Sequence, residues 1–408
     1  MHKEWRKRKI GDLFDVQLGK MLNKAASSGP DQREYLTNIN VRWGGFDLTN
    51  LNRMHFSERD RDKFRLIAGD LIVCEGGEVG RCAIWRDEHN DCYYQKALHR
   101  LRRRSSDILP EYTYQYFQFG AASGLFSEYS TRSSIAHLTR EKLVQVPIPV
   151  PPLPEQARIS EVLQTWDAAR EKLNTIRDAK EQRLVGLRAA LLFGELRLNG
   201  QRRSWAPTRL GAVTHELTKR NGAKGLGRDF VMGVTKAEGV VPMREQTIAG
   251  DISRYKRLPP RAFAYNPMRI NVGSIAMNER EEEVLVSPDY VVFACNADGL
   301  DPDYLDHLRK TSWWAHYINS GGSGSVRQRT YYDDLAALKL PLPELDEQKA
   351  IAAVLNTARA DLAATEREIE AVTLQKRGLM QRLLTGEWRV PLAPAETSAI
   401  TEETEHAG

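Results

Sequence analysis

Four cysteines and a handful of short polar strings are the residues from which this chain could build a reactive centre. Cys74, Cys82, Cys92 and Cys295 contain no C-x-x-C pair and have no histidine pair near them at zinc spacing. They read as structural thiols of a reducing compartment, and no metal-ligand set is expected. Neither N-P-P-Y nor D-P-P-Y occurs, so the usual amino-methyltransferase signature is missing. No G-x-x-x-x-G-K-[ST] string occurs, so no phosphate-cradling loop of a nucleotide-driven motor is expected. Glu347-Gln348-Lys349 has the E-x-K spacing of some nucleases, but it falls in the first turn of a predicted helix with no acidic strand ahead of it. A capping role suits it better. Gly321-Gly322-Ser323-Gly324-Ser325 is glycine-rich without the strand-then-helix context of a dinucleotide site. No catalytic residue is expected.

Chemistry suited to nucleic acid is easier to find. Gly76 and Gly77 open the turn Gly76-Gly77-Glu78-Val79-Gly80-Arg81, which follows a predicted strand and carries the basic side chain of Arg81. Tyr94-Gln95-Lys96 offers, in Gln95 and Lys96, side chains suited to base edges and phosphates. The run Ser130-Thr131-Arg132-Ser133-Ser134, with His137 beyond it, aligns on the loop that holds Ser323, Ser325, Arg327 and Arg329. Both loops combine hydroxyl groups with arginine, which can pair bidentately with guanine while the hydroxyls reach phosphates. The run His99–Arg104 reads as a phosphate-facing or solvated strand end.

An internal duplication must position these loops. Pro149–Leu198 aligns without a gap on Pro341–Val390 at a constant offset of 192 residues, with about eighteen of some fifty positions identical. Each copy reads as one helix of roughly 38 residues, about 57 Å long. Prolines hold the entry extended; Pro154 falls in the first turn of one helix, and Asp346 is placed to cap the other. Glu155 and Glu347 complement the positive end of the helix dipole. Apolar residues then recur at a spacing near 3.5, the period of a coiled-coil seam. In the first copy they are Ile159, Val162, Trp166, Ala169, Leu173, Ile176, Leu184, Leu187 and Leu191. In the second they are Ile351, Leu355, Ala358, Leu362, Ile369, Val372, Leu379 and Leu383. Gly194 and Gly386 end the helices. Two such rods in one chain most simply pack antiparallel.

Ahead of each helix lies a segment of mixed character. Trp5, Ile10 and Gly11 recur as Trp205, Leu210 and Gly211, but residues 12–145 and 212–337 show little mutual similarity. Leu71–Cys74, Val284–Val286 and Tyr290–Phe293 read as strands, and Pro110–Phe119 and Asp301–Tyr317 as helices. The fold class is α+β. Residues 1–147 and 201–339 are expected to be globular, residues 148–200 and 340–390 to be the helices, and residues 391–408, with four glutamates and no lysine or arginine, a disordered tail.

The bulk properties allow this organisation. The 408 residues suffice for two or three cored domains, and a net charge of +5 permits nucleic-acid binding without requiring it. The N-terminus is too polar for a signal peptide, and no window approaches the roughly 18 apolar residues of a membrane span, so a cytoplasmic protein is expected.

Several of these strings closely resemble the spacer helices of type I restriction–modification specificity subunits. They are Leu153–Gln156, Leu345–Gln348, and the closers Phe193-Gly194-Glu195 and Thr385-Gly386-Glu387. Gly69-Asp70-Leu71, Glu75-Gly76-Gly77 and Tyr94-Gln95-Lys96 resemble the first variable domain of that family; Asn266-Pro267 and the Gly-Ser loop fit its second. The resemblance implies two target-recognition domains at opposite ends of an antiparallel helix pair, related by a pseudo-twofold axis. Each domain would read one half of a split site in double-stranded DNA, while the helices set the gap and dock two methyltransferase subunits. S-adenosylmethionine, ATP and magnesium would then sit on methyltransferase and restriction subunits, with no cofactor on this chain. Service to a related bifunctional restriction–modification enzyme is the alternative.

Overall fold

The computed structural model describes residues 5–129, 137–198, 205–320 and 329–391. The chain divides into two compact units. One joins residues 1–173 to 368–408, and the other is the continuous stretch 174–367. The boundaries run through the long helices, so each unit holds one globular domain together with part of both helices.

In the first unit an antiparallel sheet has the strand order Phe14–Leu18, Leu98–Arg103, Leu71–Cys74, Cys82–Ile84. Leu71-Ile72-Val73-Cys74 is apolar throughout because it is covered on both faces. Leu71 and Val73 face Ile10, Tyr112 and Phe117, whereas Ile72 and Cys74 face Tyr35, Phe56 and Trp85. A separate ribbon pairs Arg6–Lys9 with Pro147–Val150, the segment that leads into the first long helix.

The second unit repeats this plan. Its sheet runs Thr214–Glu216, Val291–Cys295, Phe263–Tyr265, Ile275–Met277, and its ribbon pairs Ala206–Arg209 with Lys339–Leu342. The interiors that share little sequence therefore share one sheet topology. Two local expectations change. Tyr290 lies outside the strand Val291–Cys295. The expected helix Asp301–Tyr317 is two helices, Pro302–Leu308 and Ser312–Ser320, parted where Thr311 accepts the Trp314 N–H.

The long helices span Leu153–Leu192 and Leu345–Leu384, 40 residues each. Gly194 and Gly386 follow them at φ +74°, the left-handed conformation that closes a helix. Within each unit the start of one helix packs against the end of the other, so they run antiparallel there. Ile159 and Leu163 join Met380, Leu383 and Leu384 in the first unit; Leu184, Leu191 and Leu192 join Ile351, Ala352 and Leu355 in the second. Val162, Trp166, Leu173, Leu187, Leu362, Ile369 and Leu379 are half-buried, and Ile176, expected in the seam, is 45% exposed. Asp346 lies inside the first turn and is not the cap.

The repeated Glu-Gln pair has a larger role than complementing the dipole. Gln156 is fully buried. Its Nε2 donates to the carbonyls of Asp107 and Pro151, both at 2.7 Å, and its Oε1 accepts the Leu109 N–H at 2.9 Å. Gln348 repeats the set on Gly299, Pro343 and Asp301. Each glutamine thus welds a long helix to the domain before it, with three buried hydrogen bonds that together contribute about 3 kcal/mol. Glu155 is clasped by Arg389, and Glu347 by Arg197 through two contacts of 2.7 Å, in both cases near the end of the other helix. Glu347 is therefore engaged in an ion pair, apart from any acidic cluster.

Candidate nucleic-acid interface

In the first unit the candidate residues are held by a framework the sequence only partly reveals. Asp70 is buried and accepts two hydrogen bonds from Arg102, at 2.8 and 2.7 Å, and one from the Ile67 N–H. It fixes the entry to the strand whose exit carries Gly76 and Gly77. Gly77 has φ +78°, and the Asn38 side chain donates to the Gly76 carbonyl. Arg81 turns inward: its Nη2 donates to the Asn38 carbonyl at 2.9 Å, and its Nη1 lies 3.4 Å from Glu78. The structure thus uses Arg81 to brace the turn.

Gln95 and Lys96 lie on a tight turn closed by Leu98 N–H donating to the Gln95 carbonyl. The third residue is Ala97 at φ +84°, a conformation that costs a side-chain-bearing residue on the order of 1 kcal/mol. The turn is held on two sides. Lys96 N–H donates to Lys20 O, and Glu75 N–H donates to Ala97 O. Gly19 allows this approach, since a Cβ there would stand 2.3 Å from the Gln95 carbonyl oxygen. Gln95, Lys96 and His137 share one open cleft of about 580 Å³ with Glu75, Met21 and Leu22. Met21 and Leu22 are exposed beside it. Gly19, Met21 and Leu22 were not among the residues the sequence singled out, and no motif there marks them.

The two hydroxyl-and-arginine loops are anchored alike. Leu138 N–H donates to Glu75 O at 2.7 Å, and Thr330 N–H donates to Pro267 O at 3.1 Å. Both positions differ by the repeat offset of 192, so the chain just beyond each run is tied to the exit of the corresponding sheet strand. Arg132, Ser133, Ser134, Ser323, Ser325 and Arg327 lie outside the described residues. Arg329 is exposed, and the hydroxyl of Tyr331 beside it raises its pKa. Asn266-Pro267, a fragment without an assigned role, is therefore the foot of the second loop.

The basic run His99–Arg104 divides. His99 and Arg100 are buried, Arg100 pairing with Asp15 at 2.8 Å and Arg102 with Asp70, so only Arg103 and Arg104 are exposed. Burial depresses the His99 pKa; its Nε2 is 3.0 Å from the Leu138 carbonyl, at the foot of the first loop. Burial raises the thiols, Cys74 to about 11 and Cys92 and Cys295 to about 12, which keeps them protonated and unreactive. Among the described residues no group of three His, Cys, Asp or Glu could hold a metal ion.

Residues 2–180 match the family model for the type I restriction modification DNA specificity domain. The proposed MjaX specificity subunit of a type I restriction enzyme from Methanocaldococcus jannaschii is 22% identical over 417 residues, covering 95% of this chain and 94% of the relative. Over its length the chain is similar to the type I specificity subunits. Their role is DNA sequence recognition. The fold agrees: the S subunit of the type I restriction–modification system from M. genitalium superposes with a TM-score of 0.57 at 14% identity, covering 94% of this chain and 97% of that one. A chain from a structural study of complex assembly and conformational transition in the type I system gives 0.56 at 15% identity, covering 95% and 99%.

Of the polar residues in this first cleft, Gln95 and Lys96 are expected to have separable effects on DNA binding. Lys96→Ala is expected to weaken DNA binding by a similar factor on every sequence and to reduce the salt slope by about one. Gln95→Ala is expected to relax preference at one base pair by about 1–3 kcal/mol. Salt-dependent titrations of the assembled methyltransferase on matched and single-mismatch duplexes measure both. Equal loss on all duplexes for Gln95→Ala would remove it from base reading.

Proposed function

We propose that this chain reads a bipartite site in double-stranded DNA, one half with each unit, as the non-catalytic subunit of a type I complex. The observation that carries this reading is the repeat of sheet order, with a loop anchor at the 192-residue offset, around interiors that differ in sequence. One scaffold thus presents two different surfaces of the same kind, which suits two unlike half-sites. Methyltransferase subunits would dock on the long helices and restriction subunits would join them, bringing S-adenosylmethionine, ATP and magnesium. Exposed apolar side chains favour such docking: Ile176, Val185 and Val354 in the second unit, and Leu374 in the first, are 36–59% exposed. No helix among the described residues is long and apolar enough to cross a membrane, and a DNA substrate suits a cytoplasmic protein.

Co-expression with the cognate methyltransferase subunit, followed by genome-wide mapping of methylated adenine, tests the reading. The expected motif has two specified halves around an unspecified gap, and the chain purified alone transfers no methyl group. An uninterrupted motif, or methyl transfer by the chain alone, would overturn it.

A further inference from the structure

The second unit carries an unbalanced cluster of charge where its domain meets the helices. Asp306 is buried, with Arg309 at 2.5 Å, Lys310 at 2.6 Å and Arg359 at 3.6 Å. Glu279 takes a second contact from Arg359 at 2.7 Å. Arg188, on the first long helix, adds a fourth cation, and among the described residues no carboxylate oxygen lies within 4.0 Å of it. Its Nε meets the neutral ring of His307 at 3.4 Å. Burial, with the neighbouring Arg359 and Arg309, lowers the Arg188 pKa against the pull of Asp306, a carboxylate already in contact with three other cations. A half-buried guanidinium with no carboxylate in direct contact is costly, and a further anion would relieve it.

The first unit shows what a completed version looks like. Its residues at the 192-residue offset are Gln115 for His307, Gln118 for Lys310, Asp167 for Arg359 and Met380 for Arg188. Its one buried cation there, Lys376, is answered by Asp167 at 2.6 Å and by Gln118. At these positions the second unit has Arg359 for Asp167 and Leu184 for Lys376, and it gains one carboxylate, Asp306 for Tyr114, against Arg309, Lys310 and Arg188 for Phe117, Gln118 and Met380.

Arg188, Arg309 and Lys310 line an open cleft of about 1080 Å³ together with Trp314, Ile318 and Val272, the last 58% exposed. We propose that this cleft receives an aspartate or glutamate side chain of the partner methyltransferase, with Arg188 as its counter-ion. The inference rests on the docking reading above and adds to it a place and a chemistry. A protein carboxylate fits better than a DNA backbone. Exposed Glu181, Glu238 and Glu279 alternate around the same cleft with Lys236 and Arg280, a mixed rim that suits a single carboxylate better than an unbroken run of phosphates. An acidic side chain flanked by apolar residues instead meets the guanidinium within and the apolar lining around it.

The test uses the full chain and the purified cognate methyltransferase subunit, with affinity measured by calorimetry at low and moderate salt. Arg188→Met installs the residue that the first unit carries. It is expected to weaken assembly by roughly 30-fold or more at low salt and to flatten the salt dependence, while Arg188→Lys keeps part of the affinity. If Arg188→Met fails to fold, as judged by its melting transition, Lys310→Gln, again the residue of the first unit, is expected to weaken assembly in the same direction. Wild-type affinity in both variants would overturn the proposal. So would unchanged assembly with weakened DNA binding by the complex, which would assign the cleft to phosphate. If wild-type chain and methyltransferase form no complex, the docking reading itself falls and takes this inference with it.

Discussion

Four residues inserted between Ile176 and Arg177 are expected to widen the gap between the two methylated half-sites by about one base pair, two at most. The insertion lengthens the first long helix by about 6 Å, against roughly 3.4 Å per base step. The second helix and the twist of DNA absorb part of the difference. The site tolerates the change because no residue from Gln164 to Arg183 is fully buried, whereas Leu163 and Leu184 on either side are. Four residues make slightly more than one turn, so Leu184, Leu191 and Leu192 keep facing Ile351 and Leu355. Two inserted residues would rotate them by about 200° and are expected to abolish assembly. Neither insertion touches a recognition loop, so both half-site sequences should persist in the four-residue variant. Methylation mapping reads the gap directly. An active enzyme with its original gap would show that the helices do not measure DNA.

Acidification is expected to destabilise the second unit from about pH 6.5 downward. His307 is fully buried, and burial together with the nearby Arg188 and Lys310 holds its pKa at about 4, despite the opposing pull of Asn356 and Asp306. Its Nε2 meets Asn356 Oδ1 at 2.9 Å while Nδ1 faces the donating Nε of Arg188, an arrangement that suits only the neutral ring. Above pH 6.5 both folded and unfolded states are neutral, and stability is undiminished. Between 6.5 and 4 the unfolded chain binds a proton that the folded chain refuses. Stability then falls by about 1.4 kcal/mol per pH unit and levels off below 4, for a total of about 3 kcal/mol. Asp306, whose pKa its cationic neighbours lower, begins to matter only at still lower pH. Urea unfolding at pH 7 and pH 4.5 measures the loss, and His307→Gln, the residue of the first unit, should remove most of the slope. An unchanged slope in that variant would assign the acid sensitivity elsewhere, with the buried His99 of the first unit the next group to examine.

The long helices were legible because one fifty-residue pattern occurs twice, and their glycine ends and anchors Ile159, Leu191, Ile351 and Leu355 stand where the period puts them. The exposure of Ile176 was not legible, since period alone does not say where a partner face begins or ends. Nor was the common topology of the two domains. Strand order follows from which apolar runs pair, and Leu71–Cys74 and Phe263–Tyr265 occupy one place in the sheet with no residue type in common position by position. At the candidate interface the sequence located Gln95 and Lys96 but not the strained Ala97 or the close-packed Gly19 that present them. Arg81 and Arg100 looked like free cations because a sequence does not show the Asn38 carbonyl and Asp15 carboxylate that occupy them.

The first unit is assembled from both ends of the chain, and the second from a single run of residues. During synthesis the domain made first must therefore wait for the segment made last. Until Met380, Leu383 and Leu384 leave the ribosome, Ile159 and Leu163 lack their mates on the other long helix and Glu155 lacks Arg389. The later-born second unit has all its parts sooner, so the order of completion reverses the order of translation. A message truncated even a dozen codons short of Arg389 would leave the second unit whole and the first open along its seam.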